Sequence, residues 1–250
     1  MNRTSLARII FITGTDTGVG KTLLTGLLLH HLRQSGCHAL AMKPFCSGSR
    51  ADTEFLHAAQ DGELTSAEIT PFFFAEPLAP LVAARIHHRS IALTEVLRSI
   101  ARIAGRCQCL LIEGIGGLLV PLGEGFTVRD LIARLHCEVI VVAVNRLGTI
   151  NHTLLTVEAL RTIENKGLKA ILMSHKKEDT STGSNRRILA ELLAPTPVVP
   201  VPFLGRNSMR FGTLKKSGKI IQKSLALILA YDIVPSTIFV KPRPMAAKNS

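Results

Sequence analysis

Three clusters in this 250-residue chain combine residue types and spacings suited to binding anions and a divalent cation. The first is Gly14-Thr15-Asp16-Thr17-Gly18-Val19-Gly20-Lys21-Thr22, set between an apolar run and an amphipathic stretch. In such a loop the backbone N–H groups and the following helix N-terminus converge on anionic oxygens. Lys21 adds a point charge, and the Thr22 hydroxyl can ligate Mg²⁺, so binding of a nucleoside triphosphate is expected. The loop departs from the simplest G-x-x-x-x-G-K-[ST] pattern in carrying Thr15 at the first glycine position. A second cluster, Met42-Lys43-Pro44-Phe45-Cys46-Ser47-Gly48, follows the next expected strand, where open α/β sheets place their ligands. There Lys43 could neutralise developing phosphoryl charge and Ser47 could hydrogen-bond a polar substrate. In the third, Leu110-Leu111-Ile112-Glu113-Gly114-Ile115-Gly116-Gly117, an apolar strand delivers a carboxylate into a glycine loop. Glu113 is the best metal candidate, because a strand-end carboxylate is a hard oxygen ligand and the adjoining glycines let a nucleotide approach the backbone.

The elements that must hold these clusters alternate short β-branched runs with longer amphipathic stretches, the order of a parallel sheet with crossover helices. Strands are expected at 8–13, 38–42, 110–113, 139–145, 169–174 and 198–201. Helices are expected at 21–35, 94–104, 150–165 and 184–193, where apolar residues recur every three or four positions. The fold class predicted is a doubly wound, mostly parallel α/β sheet flanked by helices, of the phosphate-loop type. Pro195, Pro197, Pro200 and Pro202 suit the last strand only to a sheet edge. One domain is expected over residues 1–235, with a basic helical part at 205–235 and a flexible tail at 236–250.

Composition narrows the function classes. The net charge of +12 is uneven: residues 205–250 hold nine Lys/Arg against one acid, Asp232, so the body is only mildly basic. With one Tyr, no Trp and no aromatic interleaving, a solvated basic helix is favoured over a nucleic-acid surface. No apolar run approaches the roughly 18 residues that span a bilayer, and the first one is too short for a signal-peptide core. Five cysteines without two-residue pair spacing fit free thiols in a reducing cytoplasm. The pairs His30-His31 and His87-His88 point apart on a helix and make poor metal sites.

Taken in order, these clusters resemble the dethiobiotin synthetase family over roughly residues 8–205. The family's G-T-D-T-x-V-G-K-T is matched at 14–22, K-P-x-x-S-G at 43–48 and A-E-P at 75–77. E-G-x-G-G is matched at 113–117 and L-G-x-I-N-H at 147–152. The resemblance implies an ATP- and Mg²⁺-dependent ligase that joins CO₂ to 7,8-diaminononanoate and closes a ureido ring. It implies nucleotide contacts from Thr17, Gly18, Val19, Gly20, Lys21, Thr22 and Leu23, and from Glu113, Gly114, Ile115 and Gly116. Thr22, Asp52 and Glu113 become the Mg²⁺ ligands, and Lys43, with Lys21, the catalytic lysine. Ser47 and Thr17 touch substrate. Leu147, Gly148 and Asn151 at a helix start meet the substrate carboxylate of a partner subunit in a homodimer.

The base end departs from the family. Relatives commonly carry Asn where this chain has His175, which would face the base together with Pro202, Phe203 and Leu204. Two other readings compete. An amidotransferase of the same branch needs a glutaminase part for which the chain leaves no room. A non-catalytic or regulatory phosphate-loop ATPase would use the basic tail on an acidic partner. Partition-type ATPases carry a lysine where this loop has Asp16.

Overall fold

The run Ile9-Ile10-Phe11-Ile12 forms the centre of strand β1 (Arg8–Gly14), and its core residues are fully buried, as in a strand covered on both faces. A computed structural model describes residues 7–230 apart from Glu178, Arg206 and Arg210. After β1 come α1 (Lys21–Gln34), β2 (Ala39–Met42), β3 (Phe45–Ser47), α2 (Ala51–Ala59), α3 (Ser66–Ile69), β4 (Phe72–Phe74), α4 (Pro80–Ile86), α5 (Leu93–Ala104) and β5 (Cys109–Glu113). The second half holds β6 (Pro121–Gly123), β7 (Phe126–Thr127), α6 (Val128–Leu135), β8 (Glu138–Val144), α7 (Thr149–Arg161), β9 (Leu168–Met173), α8 (Thr182–Leu193), β10 (Val198–Val201), α9 (Phe211–Ile220) and α10 (Gln222–Leu229).

The main sheet has six strands in the order β10-β9-β8-β1-β5-β2, and every pairing is parallel. The sheet is doubly wound, and the chain reverses direction around β1, whose neighbours β5 and β8 are both distant in sequence. Such a switch point leaves a crevice at the carboxyl ends of the strands. The phosphate loop opens there. β10, with Pro200 inside it, is an edge strand, the position that a residue without an N–H tolerates.

Helix α1 is buried on almost every side although its hydrophobic stripe is weak. It packs on β1, β2 and β5, and α2, α9 and α10 cover its other faces. Gly26 permits this: a Cβ there would lie 2.5 Å from the Phe55 ring of α2. The basic helical part expected at 205–235 is thus α9 and α10 over its described residues. Arg8 and Lys169 donate to the last carbonyls of α10, at Leu229, Ile228 and Ala230, cations at a helix C-terminus where the macrodipole favours them. Residues 231–235 and the expected tail lie outside the described residues.

The expected strands and helices agree with the structure to within a few residues at their ends, with one larger difference. Helix α7 ends at Arg161 rather than Asn165, because the Asn165 amide turns back to donate to the Leu160 and Ile163 carbonyls, at 3.4 and 3.3 Å. Sequence periodicity also missed the small parallel pair β3–β4, where Phe45 stacks on Phe72 with ring centroids 4.8 Å apart. Strands of three residues are too short to show a period.

Candidate active site

The phosphate loop leaves β1 at Gly14 and enters α1 at Lys21. Gly20, in the N-cap position, has φ 100°, a left-handed conformation open to glycine, and a Cβ there would press on Met173 at the end of β9. A Cβ on Gly14 would lie 2.8 Å from the Val19 side chain, so the loop closes tightly on itself. Thr17 and Gly18 are exposed at its crest, Val19 is buried beneath them, and Leu23 packs against the core from the first turn of α1.

Lys21 is buried, and its ammonium donates to the carbonyls of Asp16 and Gly116, each at 2.8 Å. Burial lowers its pKa to about 8; nearby Glu113 pulls the value back up, and Lys43 adds to the depression. The Gly116 bond ties the phosphate loop to the loop after β5, which also carries Gly114 and Ile115.

Glu113 ends β5 fully buried. Its Oε1 accepts from the Thr22 hydroxyl at 2.6 Å and from the Lys43 ammonium at 2.7 Å. Among the described residues its Oε2 has no hydrogen-bond partner, an arrangement that costs free energy unless something else meets that oxygen. Lys43, just past β2, also donates to Asp52 in the first turn of α2. Burial acts to lower its pKa, but Glu113 and Asp52 outweigh that and hold the ammonium above the ordinary lysine value. Lys21, Thr22, Lys43, Asp52 and Glu113 therefore form one contiguous cluster drawn from α1, α2 and the ends of β2 and β5. Ser47 ends β3 nearby in sequence, with a buried hydroxyl that has no partner among the described residues.

The other expected residues line the same edge of the sheet without touching this cluster. Leu147, Gly148 and Asn151 sit where β8 passes into α7; Gly148 is the N-cap at φ 90°, with no side-chain cap, and Leu147 is 79% exposed. His175 follows β9, and Pro202, Phe203 and Leu204 follow β10. The His175 and Phe203 rings are 6.5 Å apart and tilted. Sequence reasoning missed Asp179, whose Oδ2 accepts from the Leu147 N–H at 2.9 Å. The available sign was local: an Asp followed by Ser181 and Thr182 is a side-chain turn of the kind that precedes helices.

A parallel sheet with a glycine loop, lysine and threonine at its switch point, and a carboxylate beside them, defines a phosphate-loop nucleotide-binding protein. Solved structures agree on the fold: a ParA family ATPase from Chlorobium tepidum (TM-score 0.50, 13% identity, 88% of this chain and 93% of that chain) and the MinC:MinD cell division protein complex from Aquifex aeolicus (TM-score 0.53, 13% identity, 86% and 88%). A family model described as an AAA domain matches residues 8–206. Curated proteins called ATP-dependent dethiobiotin synthetase BioD match over most of the chain. That of Anaeromyxobacter sp. (strain Fw109-5) is 40% identical, covering 85% of this chain and 99% of its own. Those of Akkermansia muciniphila and Bacillus subtilis (strain 168) are 34% and 44% identical, over 83% and 60% of this chain and 97% and 68% of theirs. The chain belongs to the dethiobiotin synthetase family.

Proposed function

We propose that this chain is an ATP- and Mg²⁺-dependent ligase, a single phosphate-loop domain that carboxylates 7,8-diaminononanoate with CO₂ and closes the ureido ring of dethiobiotin. The observation that carries the reading is the buried Lys43 ammonium bridging Glu113 and Asp52 beside the Thr22 hydroxyl. In the reaction one substrate amine adds to CO₂ and loses a proton, giving a carbamate. A carbamate oxygen attacks the γ-phosphorus and the bond to ADP breaks. The second amine then attacks the carbamoyl carbon, phosphate leaves, and a second proton is released. No side-chain nucleophile is needed, so the protein's part is positioning and charge. Lys21 and the N–H groups of Thr17–Leu23 hold phosphate oxygens, while Lys43 faces the charge that develops on the transferring group. Ser47 and Thr17 orient the amines, and Gly114–Gly116 with His175 and Pro202–Leu204 flank the nucleotide.

Mg²⁺ fits the donors. Thr22, Asp52 and Glu113 offer hard oxygens, and Glu113 Oε2 is buried without a partner among the described residues. No group of three or more His, Cys, Asp or Glu is placed to hold a metal among those residues, but Mg²⁺ binds through one or two carboxylates plus phosphate oxygens. When bound it neutralises charge on those phosphate oxygens. The same reading makes the enzyme a cytoplasmic homodimer in which the start of α7 serves the partner's site. The exposed Leu147 and Leu155, at one end and one side of α7, support an interface there. No described helix is long and apolar enough to cross a membrane, and all five cysteines are free thiols.

The deciding experiment measures phosphate release with CO₂ and the diamine supplied or withheld, with mass analysis of the product. Release that requires both and yields the cyclic urea is expected. Hydrolysis indifferent to both would favour the regulatory ATPase instead.

A further inference from the structure

The segment between β8 and α7 must aim a set of N–H groups, yet it has no side-chain cap of its own. It is laced instead to the start of α8. Asn185 donates to Asn145 Oδ1 at 2.9 Å and to the Arg146 carbonyl at 3.3 Å, and Asn145 donates to the Thr182 carbonyl at 3.1 Å. Both asparagines are buried, and their hydrogen bonds tie the two loops together. The Asp179 carboxylate adds a further tie from an exposed position, through the Leu147 N–H. Exposure makes that tie worth little to folding. It also places a negative charge beside a helix start. If α7 merely needed a cap, a residue at its own N-cap would serve.

We propose that Asp179 is a positioning residue for the substrate carboxylate: by holding the Leu147 N–H it fixes the direction in which the start of α7 points its remaining N–H groups. The inference rests on the reading, given above, that this helix start receives the substrate carboxylate. The rest of the Asp179 carboxylate is occupied, which locks its orientation. Oδ1 accepts from the Ser181 N–H at 2.9 Å and hydroxyl at 2.5 Å, and from the Thr182 hydroxyl at 3.4 Å. The Ser181 hydroxyl, then the Leu147 N–H, hold the acid below the usual carboxylate range. The N–H it consumes belongs to Leu147, ahead of the helix; in the first turn the Thr149 N–H donates to the Arg146 carbonyl at 3.1 Å, which leaves those of Ile150 and Asn151 for a second anion.

The test is steady-state kinetics of Asp179→Ala and Asp179→Asn, with Asn151→Asp as a separate control on the substrate reading. Asp179→Ala should raise KM for the diamine about threefold to tenfold, the scale of one lost hydrogen bond, with little change in kcat or in KM for ATP. Asp179→Asn keeps an acceptor oxygen and removes the charge nearest the incoming carboxylate, so it should return the diamine KM to the parental value or below. Parallel rises in both KM values, or an unchanged diamine KM in Asp179→Ala, would overturn the assignment. Asn151→Asp puts a negative charge on the first turn of α7 and separates the two failures. If it leaves the diamine KM unchanged, the substrate reading falls. If it raises that KM while Asp179→Ala does not, only the role of Asp179 falls.

Discussion

Replacing Lys43 with alanine tests chemistry and stability together, because its ammonium is the partner of a carboxylate that solvent does not reach. In the parent, Glu113 is fully buried and accepts from Lys43 and Thr22 through one oxygen only. Removing the ammonium leaves a buried charge with a single hydroxyl donor. Breaking a buried ion pair from one side costs about 3–5 kcal/mol. The Asp52 contact adds little, since that carboxylate is partly exposed. For a domain of this size each kcal/mol moves Tm by about 2–4 °C, so Lys43→Ala should melt about 6–20 °C below the parent. Turnover should fall on the order of 10²–10³, the effect of removing one preorganised charge donor, while nucleotide binding is largely kept. Two further measurements separate an unpaired carboxylate from a general packing defect. Saturating Mg²⁺ and ADP should narrow the Tm gap by bringing positive charge to Glu113. The double variant Lys43→Met/Glu113→Gln should be more stable than Lys43→Met alone, since the amide needs no counter-charge. Calorimetry with and without ligands, alongside the phosphate-release assay, reads all of these. A parental Tm with near-parental turnover in Lys43→Ala would refute the reasoning.

Glu113→Gln and Asp52→Asn should each shift the Mg²⁺ titration of turnover to higher metal, about tenfold or more, because a neutral amide oxygen replaces a charged ligand; unchanged titrations in both would remove them from the metal site. Lys21 should make nucleotide affinity pH-dependent. Its value of about 8 in the free protein means that triphosphate binding takes up a proton above that pH, so affinity should hold below pH 8 and fall by up to about tenfold per unit above it. Calorimetry between about pH 7 and 9.5 should show that fall with proton uptake, and a flat profile would count against it. His175 should relax base selection, because an imidazole edge cannot make the paired donor–acceptor contact that an amide makes with adenine, a difference of roughly five- to 150-fold in discrimination. kcat/KM for ATP, GTP and CTP in the parent and in His175→Asn decides this, and strong ATP preference unaltered by the substitution would place base reading elsewhere.

How much of this was legible in sequence follows from the range of the interactions involved. The six main strands were legible because each is a short, mostly apolar run that the sheet buries wholly or in large part, and the phosphate loop because its glycines answer local backbone demands. Glu113 could be singled out as a strand-end carboxylate without knowing its neighbours. Helices α2, α4 and α6, of nine, seven and eight residues, went unpredicted although they are local, and much of the rest that stayed hidden was non-local or too short to repeat. That Gly116 accepts from Lys21, a bond across 95 residues of chain, depends on β1 and β5 being adjacent. The β3–β4 pair spans three residues a side and shows no period, although its aromatic run Phe72-Phe73-Phe74 stands out once the partner is known. Asp179 was hidden for a third reason: its turn is a common local motif, and only the distance to Leu147 gives it more than a local meaning.

Two buried lysines in one cluster, shifted in opposite directions, show how the site divides its work. Burial penalises both ammonium groups. Lys21 meets carbonyl oxygens, which carry only partial charge, and the penalty wins. Lys43 meets two carboxylates, and the penalty loses. A lysine whose charge is under-compensated gains most when a triphosphate arrives, so Lys21 is built to spend its interaction on binding. Lys43 already has its counter-charges and gains little from a ground-state phosphate. Under the proposed metal assignment, Glu113 and Asp52 would be the carboxylates that hold Mg²⁺, and Lys43 would then be a fixed cation free to face the transferring group. On that reading the same two carboxylates, which hold the ammonium in place here, would serve the metal once nucleotide is bound, a double use that needs them beside the phosphate loop and not within it.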